Sequence, residues 1–166
     1  VSRYTMISGP SDQILEGLAG NTAAEKAAAL EQSMTAMDQM VELFYAHKGL
    51  STASDAEPHN QVPAGRLNIR YQRMFAGAFM YAGGLHIGIE WPQFQEMVKG
   101  EPVIADAEGK YQSGSLFGWG LSHEIGHEIN EGAYAVAEVT NNYYPLLAKA
   151  RDTNDSLRFK YEDVFK

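Results

Sequence analysis

His123-Glu124-Ile125-Gly126-His127 decides how the rest of this chain is read. On a helix, positions i and i+4 share a face, so His123 and His127 can offer two imidazoles to one metal ion. Glu124, one residue past the first histidine, can reach a metal-bound water and act as general base. The pattern points to a zinc hydrolase, most often a metallopeptidase, with a zincin-like core around the motif helix. The flanks support a helix. Ser122 is a candidate N-cap, and Leu121, Ile125 and Ile129 recur every four residues as an apolar stripe.

Catalytic zinc takes three protein ligands and leaves a position for water, so a third ligand is required. Asn130 and Ala133 stand where a metzincin carries glycine and histidine, which removes that class. No aspartate lies between Asp106 and Asp152. Glu131 and Glu138 remain. Glu131 shares the helix of the histidines, from which convergence on the same ion is awkward. Glu138 follows a break at Gly132, with a helix over residues 133–144 folding back across the first, and is the favoured ligand. Asn142, four residues beyond Glu138, either orients a metal ligand by hydrogen bonding or ends the helix. Tyr143 and Tyr144 are candidate oxyanion donors or core aromatics.

The run from His123 to His127, ten intervening residues, then Glu138-Val139-Thr140-Asn141-Asn142, resembles the M60-type (enhancin-like) zinc metallopeptidases; Gly118-Trp119-Gly120-Leu121 is also similar to that family. The resemblance implies Zn2+ on His123, His127 and Glu138, with Glu124 as base: a gluzincin-type zinc metalloendopeptidase. It further implies mucin-like, O-glycosylated protein substrates and a secreted or cell-surface enzyme. Two rival expectations stand beside this one. The chain is either a metallopeptidase-like domain that binds zinc and glycoprotein without cleaving, or a catalytic core truncated on its C-terminal side.

Composition narrows the alternatives. The 166 residues suggest one domain over 1–166, with a formal net charge of −8 and no cysteine. The acidic balance argues against nucleic acid, because phosphate contacts need a basic patch. Without cysteine, a disulfide framework and a thiolate zinc site are both excluded. No transmembrane run or signal peptide is visible.

The remaining elements follow from local patterns. A short helix is expected over residues 11–18. Thr22-Ala23-Ala24-Glu25 is a capping box that opens a helix to about His47, with Leu30, Met34, Met37, Val41 and Phe44 as its core stripe. Residues 49–65 form a loop containing a solvated His59. Strands are expected over 67–71, 78–82 and 85–91, the last two joined by a Gly83-Gly84 hairpin turn, with Leu85, Ile87 and Ile89 on one face. Pro92 opens a short helix through Val98. Helix, antiparallel strands and helices in that order give an α+β fold, with a small, mostly antiparallel sheet packed against helices including the motif helix. The hairpin is the candidate substrate-binding edge. Gly83 and Gly84 would allow close approach of a peptide strand; His86 either polarises the scissile carbonyl or lies on the outer face.

Overall fold

The computed structural model describes residues 1–53, 55–90, 92–104, 107–108, 118–130 and 132–152. The expected α+β architecture is present: β1 (Thr5–Ser8), α1 (Ser11–Gly17), α2 (Ala23–His47), β2 (Leu67–Tyr71), β3 (Met80–Ala82), β4 (His86–Ile89), α3 (Gln93–Met97), α4 (Trp119–Ile129) and α5 (Tyr143–Asp152). Short 3-10 turns cover Pro58–Asn60 and Thr140–Asn142.

Helix α2 begins as its sequence dictates. The Thr22 side chain accepts from the Glu25 N–H at 3.2 Å, and the Glu25 carboxylate accepts from the Thr22 N–H at 2.9 Å. Met37, Met40, Val41 and Phe44 are fully buried, so the methionine-rich stripe is core. Leu30 is at the core's margin and Met34 is half-buried. Across from them lie Ile69, Ile87 and Ile89 of the sheet and Leu121 and Ile125 of α4.

The sheet order is β1-β2-β4-β3. Both β1–β2 and β2–β4 are parallel, and only β3–β4 is antiparallel. The expectation of a mostly antiparallel sheet is therefore corrected. One of the two parallel pairs comes from β1, four residues for which the sequence predicts no strand. The crossover through α2 brings β1 alongside β2, as parallel pairing requires. Asp38 of α2 fixes the approach: its carboxylate accepts from Ser2 Oγ at 2.6 Å and from the backbone N–H groups of Arg3 and Tyr4 at 3.0 and 3.1 Å.

Strand β4 inserts between β2 and its own hairpin partner, leaving β3 as an antiparallel edge beside α4. The hairpin turn is one residue later than expected. Gly83 and His86 form the closing pair, and Gly84 and Leu85 both have φ of 63°. Positive φ at both central residues matches the right-handed strand twist. The shift takes Leu85 out of line with Ile87 and Ile89 and leaves it half exposed.

Helix α4 starts at Trp119 with Gly118 at its N-cap, so Ser122 lies inside the helix rather than capping it. Ser122 is buried, its hydroxyl 3.3 Å from Met40 Sδ. Gly120 acts here as a packing residue: a Cβ would stand 2.8 Å from Met80 Sδ on β3. The helix expected over 133–144 does not form. Thr140 Oγ1 bonds both the Val136 N–H and its carbonyl at 3.1 Å, offering the backbone a local alternative to helix. Glu138, at φ 63°, is in the left-handed region.

Candidate metal centre

His123 and His127 project from the same face of α4 with ring centroids 4.9 Å apart. Glu138 reaches them from the turn ahead of Thr140–Asn142. Its Oε2 is 3.0 Å from His123 Nε2, and its Oε1 is 3.1 Å from His127 Nε2. One ligand atom from each of the three residues lies within 4.8 Å of the others. Glu131 lies outside the described residues.

The protonation pattern within this group is determined by Asn142. Trp119 Nε1–H donates to Asn142 Oδ1 at 3.2 Å, and Asn142 Nδ2 donates to the Glu138 carbonyl at 2.7 Å. The amide is thus oriented from both ends. Its Oδ1 lies 2.7 Å from His123 Nδ1, which must carry the ring proton. In the neutral ring His123 Nε2 is then an acceptor, and it faces a carboxylate oxygen. Two acceptors at that distance repel unless a proton or a metal ion lies between them. Two imidazoles and one carboxylate are also a zinc donor set, so the residues fit a metal ion.

Glu124 adjoins this group and is about half-buried. Burial pushes its carboxyl above the usual carboxylate range; His123 and His127 oppose the shift, while Glu138 and Glu128 add to it. Glu124 and the three ligand candidates line a cavity of about 580 Å³ together with Glu128, all of β3, and Gly83 and Gly84. The glycines and the helix motif thus share one cleft. His86 does not line it. His86 shares the opposite sheet face with Gly88 and Tyr81, and its Nε2 is 3.0 Å from Tyr81 Oη. The Tyr81 ring covers Gly88, where a Cβ would collide with it.

A second cavity of about 510 Å³ lies on the other side of Asn142, with Trp119, Tyr134, Tyr143 and Tyr144 among its lining residues. Tyr144 is buried in the core, its hydroxyl donating to Asn130 Oδ1 at 3.1 Å. Tyr143 stacks on His47 with centroids 4.8 Å apart. Neither tyrosine lines the cleft that holds the histidines.

Two residues here were not singled out by sequence. Glu128 lines the cleft, and its Oε2 accepts from the Leu85 N–H. Asn141 is fully buried between the two imidazoles. Spacing offers a partial signal for Asn141, because Gly126 inside the motif has no Cβ to keep it away. A Cβ there would stand 2.9 Å from Asn141 Cβ and its carbonyl oxygen, and 2.7 Å from the Tyr144 ring.

Comparison with known proteins agrees with this geometry. No curated protein matches the chain. Among solved structures, the M60 catalytic domain of Clostridium perfringens ZmpC, in complex with the sialyl T antigen, is 26% identical with a TM-score of 0.55, covering 76% of this chain and 23% of that one. The ZmpB metallopeptidase of the same organism is 25% identical with a TM-score of 0.55, over 73% of this chain and 20% of that one. The catalytic module of its metalloprotease ZmpA, at 19% identity and a TM-score of 0.63, shares the fold over 89% of this chain and 25% of that one. The chain thus spans about a quarter or less of each. The profile of the family described as peptidase M60, enhancin and enhancin-like matches residues 21–165. With the match running from the start of α2 through the turn that carries Glu138, this chain belongs to the M60 peptidase family.

Proposed function

We propose that this chain carries the zinc site of an endopeptidase that hydrolyses peptide bonds in mucin-like, O-glycosylated proteins. The observation that carries the reading is the pair of Glu138 carboxylate oxygens, each facing a histidine Nε2 at 3.0–3.1 Å. His123, His127 and Glu138 would hold the ion, and Asn142 would keep His123 in the ligating tautomer. A bound zinc ion supplies Lewis acidity, which lowers the pKa of a water and polarises the substrate carbonyl.

Glu124 takes the proton from the attacking water and passes it to the leaving amine. Its half-buried position favours this role, because burial moves a carboxylate toward the proton affinity a general base needs. The substrate backbone adds as a strand to β3, whose outer edge has no partner strand among the described residues. Gly83 and Gly84 leave room at the end of that edge. The support for a glycosylated substrate is twofold. A similar catalytic domain was solved with a glycan, and the neighbouring cavity of this chain presents aromatic faces. Mucin-like substrates lie outside cells, so the reading carries with it a secreted or surface location. No helix among the described residues is long and apolar enough to cross a membrane.

The test is zinc stoichiometry together with cleavage of mucin-type glycopeptides and their unglycosylated counterparts. Wild type should bind one zinc and cleave the glycosylated form preferentially. Glu124→Gln should keep the metal and lose about 10²–10⁴-fold in rate. Undiminished cleavage by Glu124→Gln would remove the base assignment, and equal cleavage of both peptides would remove the glycan preference. A second reading is binding of zinc and glycoprotein without cleavage. Wild type that binds both and cleaves neither peptide would establish it.

A further inference from the structure

We propose that Asn141 is an additional residue of the metal centre, whose side-chain amide holds the two histidines in the metal-free site and turns its oxygen to the ion when metal binds. The proposal rests on the zinc reading of His123, His127 and Glu138. Asn141 is fully buried in the Thr140–Asn142 turn. Its Nδ2 is 2.9 Å from His123 Nε2 and 2.8 Å from His127 Nε2, so the amide donates one hydrogen to each ring. Its Oδ1 is buried and has no hydrogen-bond partner among the described residues. A buried carbonyl without a donor is costly, and such a group calls for a reason.

The orientation of this amide depends on whether a cation is present. In the metal-free site the histidine Nε2 atoms are acceptors, and only the NH2 end of Asn141 satisfies them. The reverse orientation would aim a carbonyl at two lone pairs. Once those lone pairs bind a metal ion, the NH2 end would direct its hydrogens at a cation, and the carbonyl end becomes the favourable one. Turning the amide abandons no hydrogen bond at Oδ1, because it makes none, and besides the two ring contacts gives up only a long 3.5 Å contact from Nδ2 to the His123 carbonyl. Asn142, one residue on, lacks this freedom, since both ends of its amide are already engaged.

The backbone keeps Asn141 in position for both states. Gly126 lets the turn lie directly against α4, with no room for a Cβ between them. The amide can therefore rotate while its Cα stays fixed.

The experiment uses the full chain, stripped of metal and titrated with zinc chloride alone. Side-chain amide resonances of isotope-labelled wild type are recorded, and the Asn141 pair is identified by its loss in Asn141→Asp. That pair should exchange slowly with solvent in the metal-free protein and move on addition of one equivalent of zinc. Zinc affinity is measured separately by chelator competition. Asn141→Ala should bind about 10-fold or more weakly, the range for removing a group that supports a ligand set. Asn141→Asp keeps an oxygen but has no NH2, so it should bind at least as tightly as wild type while melting at a lower temperature when metal-free. Amide resonances unmoved by saturating zinc, or both variants binding zinc within about twofold of wild type, would overturn the proposal. Should Asn141→Ala fail to fold, the wild-type resonances and Asn141→Asp still decide it. A wild type that binds no zinc overturns the metal centre itself, a distinguishable failure.

Discussion

Glu128 Oε2 accepts a hydrogen bond from the Leu85 backbone N–H at 2.7 Å, tying the motif helix to the tip of a hairpin 43 positions earlier. Leu85 sits at φ 63°, a conformation unfavourable for a branched side chain. The carboxylate helps hold that turn, and with it the free edge of β3 along the cleft. Glu128→Ala should lower stability by about 1 kcal/mol, toward the lower range for a charge-assisted bond because Leu85 is half exposed. The larger effect should be a raised KM for peptide with zinc affinity unchanged. Steady-state kinetics alongside chelator competition would check this, and a parallel loss of zinc would assign Glu128 to the metal centre instead.

Gly126 provides a test of how closely the third ligand's turn must approach α4. Gly126→Ala introduces a Cβ within 2.9 Å of Asn141 and 2.7 Å of Tyr144. Overpacking of this kind costs about 1–3 kcal/mol. Because the displaced segment follows Glu138, zinc affinity should fall together with the melting temperature. A variant that melts lower yet binds zinc normally would show that the turn can yield without moving the ligand.

The start of α2 carries a pH signature. Hydrogen bonds from the Thr22 and Asn21 backbone N–H groups, then from the Thr22 side chain, hold the Glu25 carboxyl below its usual range. A depressed folded-state value stabilises above the unfolded pKa, and that contribution is lost as pH falls from about 4.3 through the folded value. Thr22→Ala should cost about 1 kcal/mol at neutral pH. The gap between wild type and Glu25→Gln in denaturant melts should close below that window; a gap that persists would locate the effect elsewhere.

Tyr134 is 87% exposed and lines the cavity beside the metal centre. Tyr134→Ala should therefore leave stability and zinc binding alone. If the sugar of a glycopeptide stacks there, its KM should rise several-fold, by roughly the 1 kcal/mol of a ring contact, while an unglycosylated peptide is unaffected. Equal effects on both peptides would move the glycan to another surface.

How much of this was legible in the sequence depends on the range of the interactions involved. The capping box at Thr22 and Glu25, strand β2 at residues 67–71, and the i, i+4 histidines are local patterns, and each is found where its residues place it. Strand β1 was not legible. Four residues, Thr5–Ser8, become a strand because β2 pairs with them, while Asp38 holds Ser2, Arg3 and Tyr4 just ahead of them, both from distant parts of the chain. Ser122 reads as the N-cap but lies inside α4, because the helix starts at Trp119 with Gly118 at its N-cap. Glu138 is legible as a candidate by its carboxylate, but its left-handed backbone, next to a Thr140 side chain that bonds Val136, is not. The hairpin turn moved by one residue to Gly84-Leu85, a choice helped by Glu128 from another element.

The local origin of the ligands has a consequence for what the metal stabilises. His123 and Glu138 are only 15 positions apart, so the ion would close a short chain segment rather than join distant halves of the molecule. Closing so small a loop removes less chain entropy from the unfolded state than joining distant segments would. The main apolar packing, with Met37, Phe44, Ile69 and Ile87, lies in other elements. The metal would thus act as a clasp on one corner of a body that is already folded, and chelation would leave α2 and the sheet assembled.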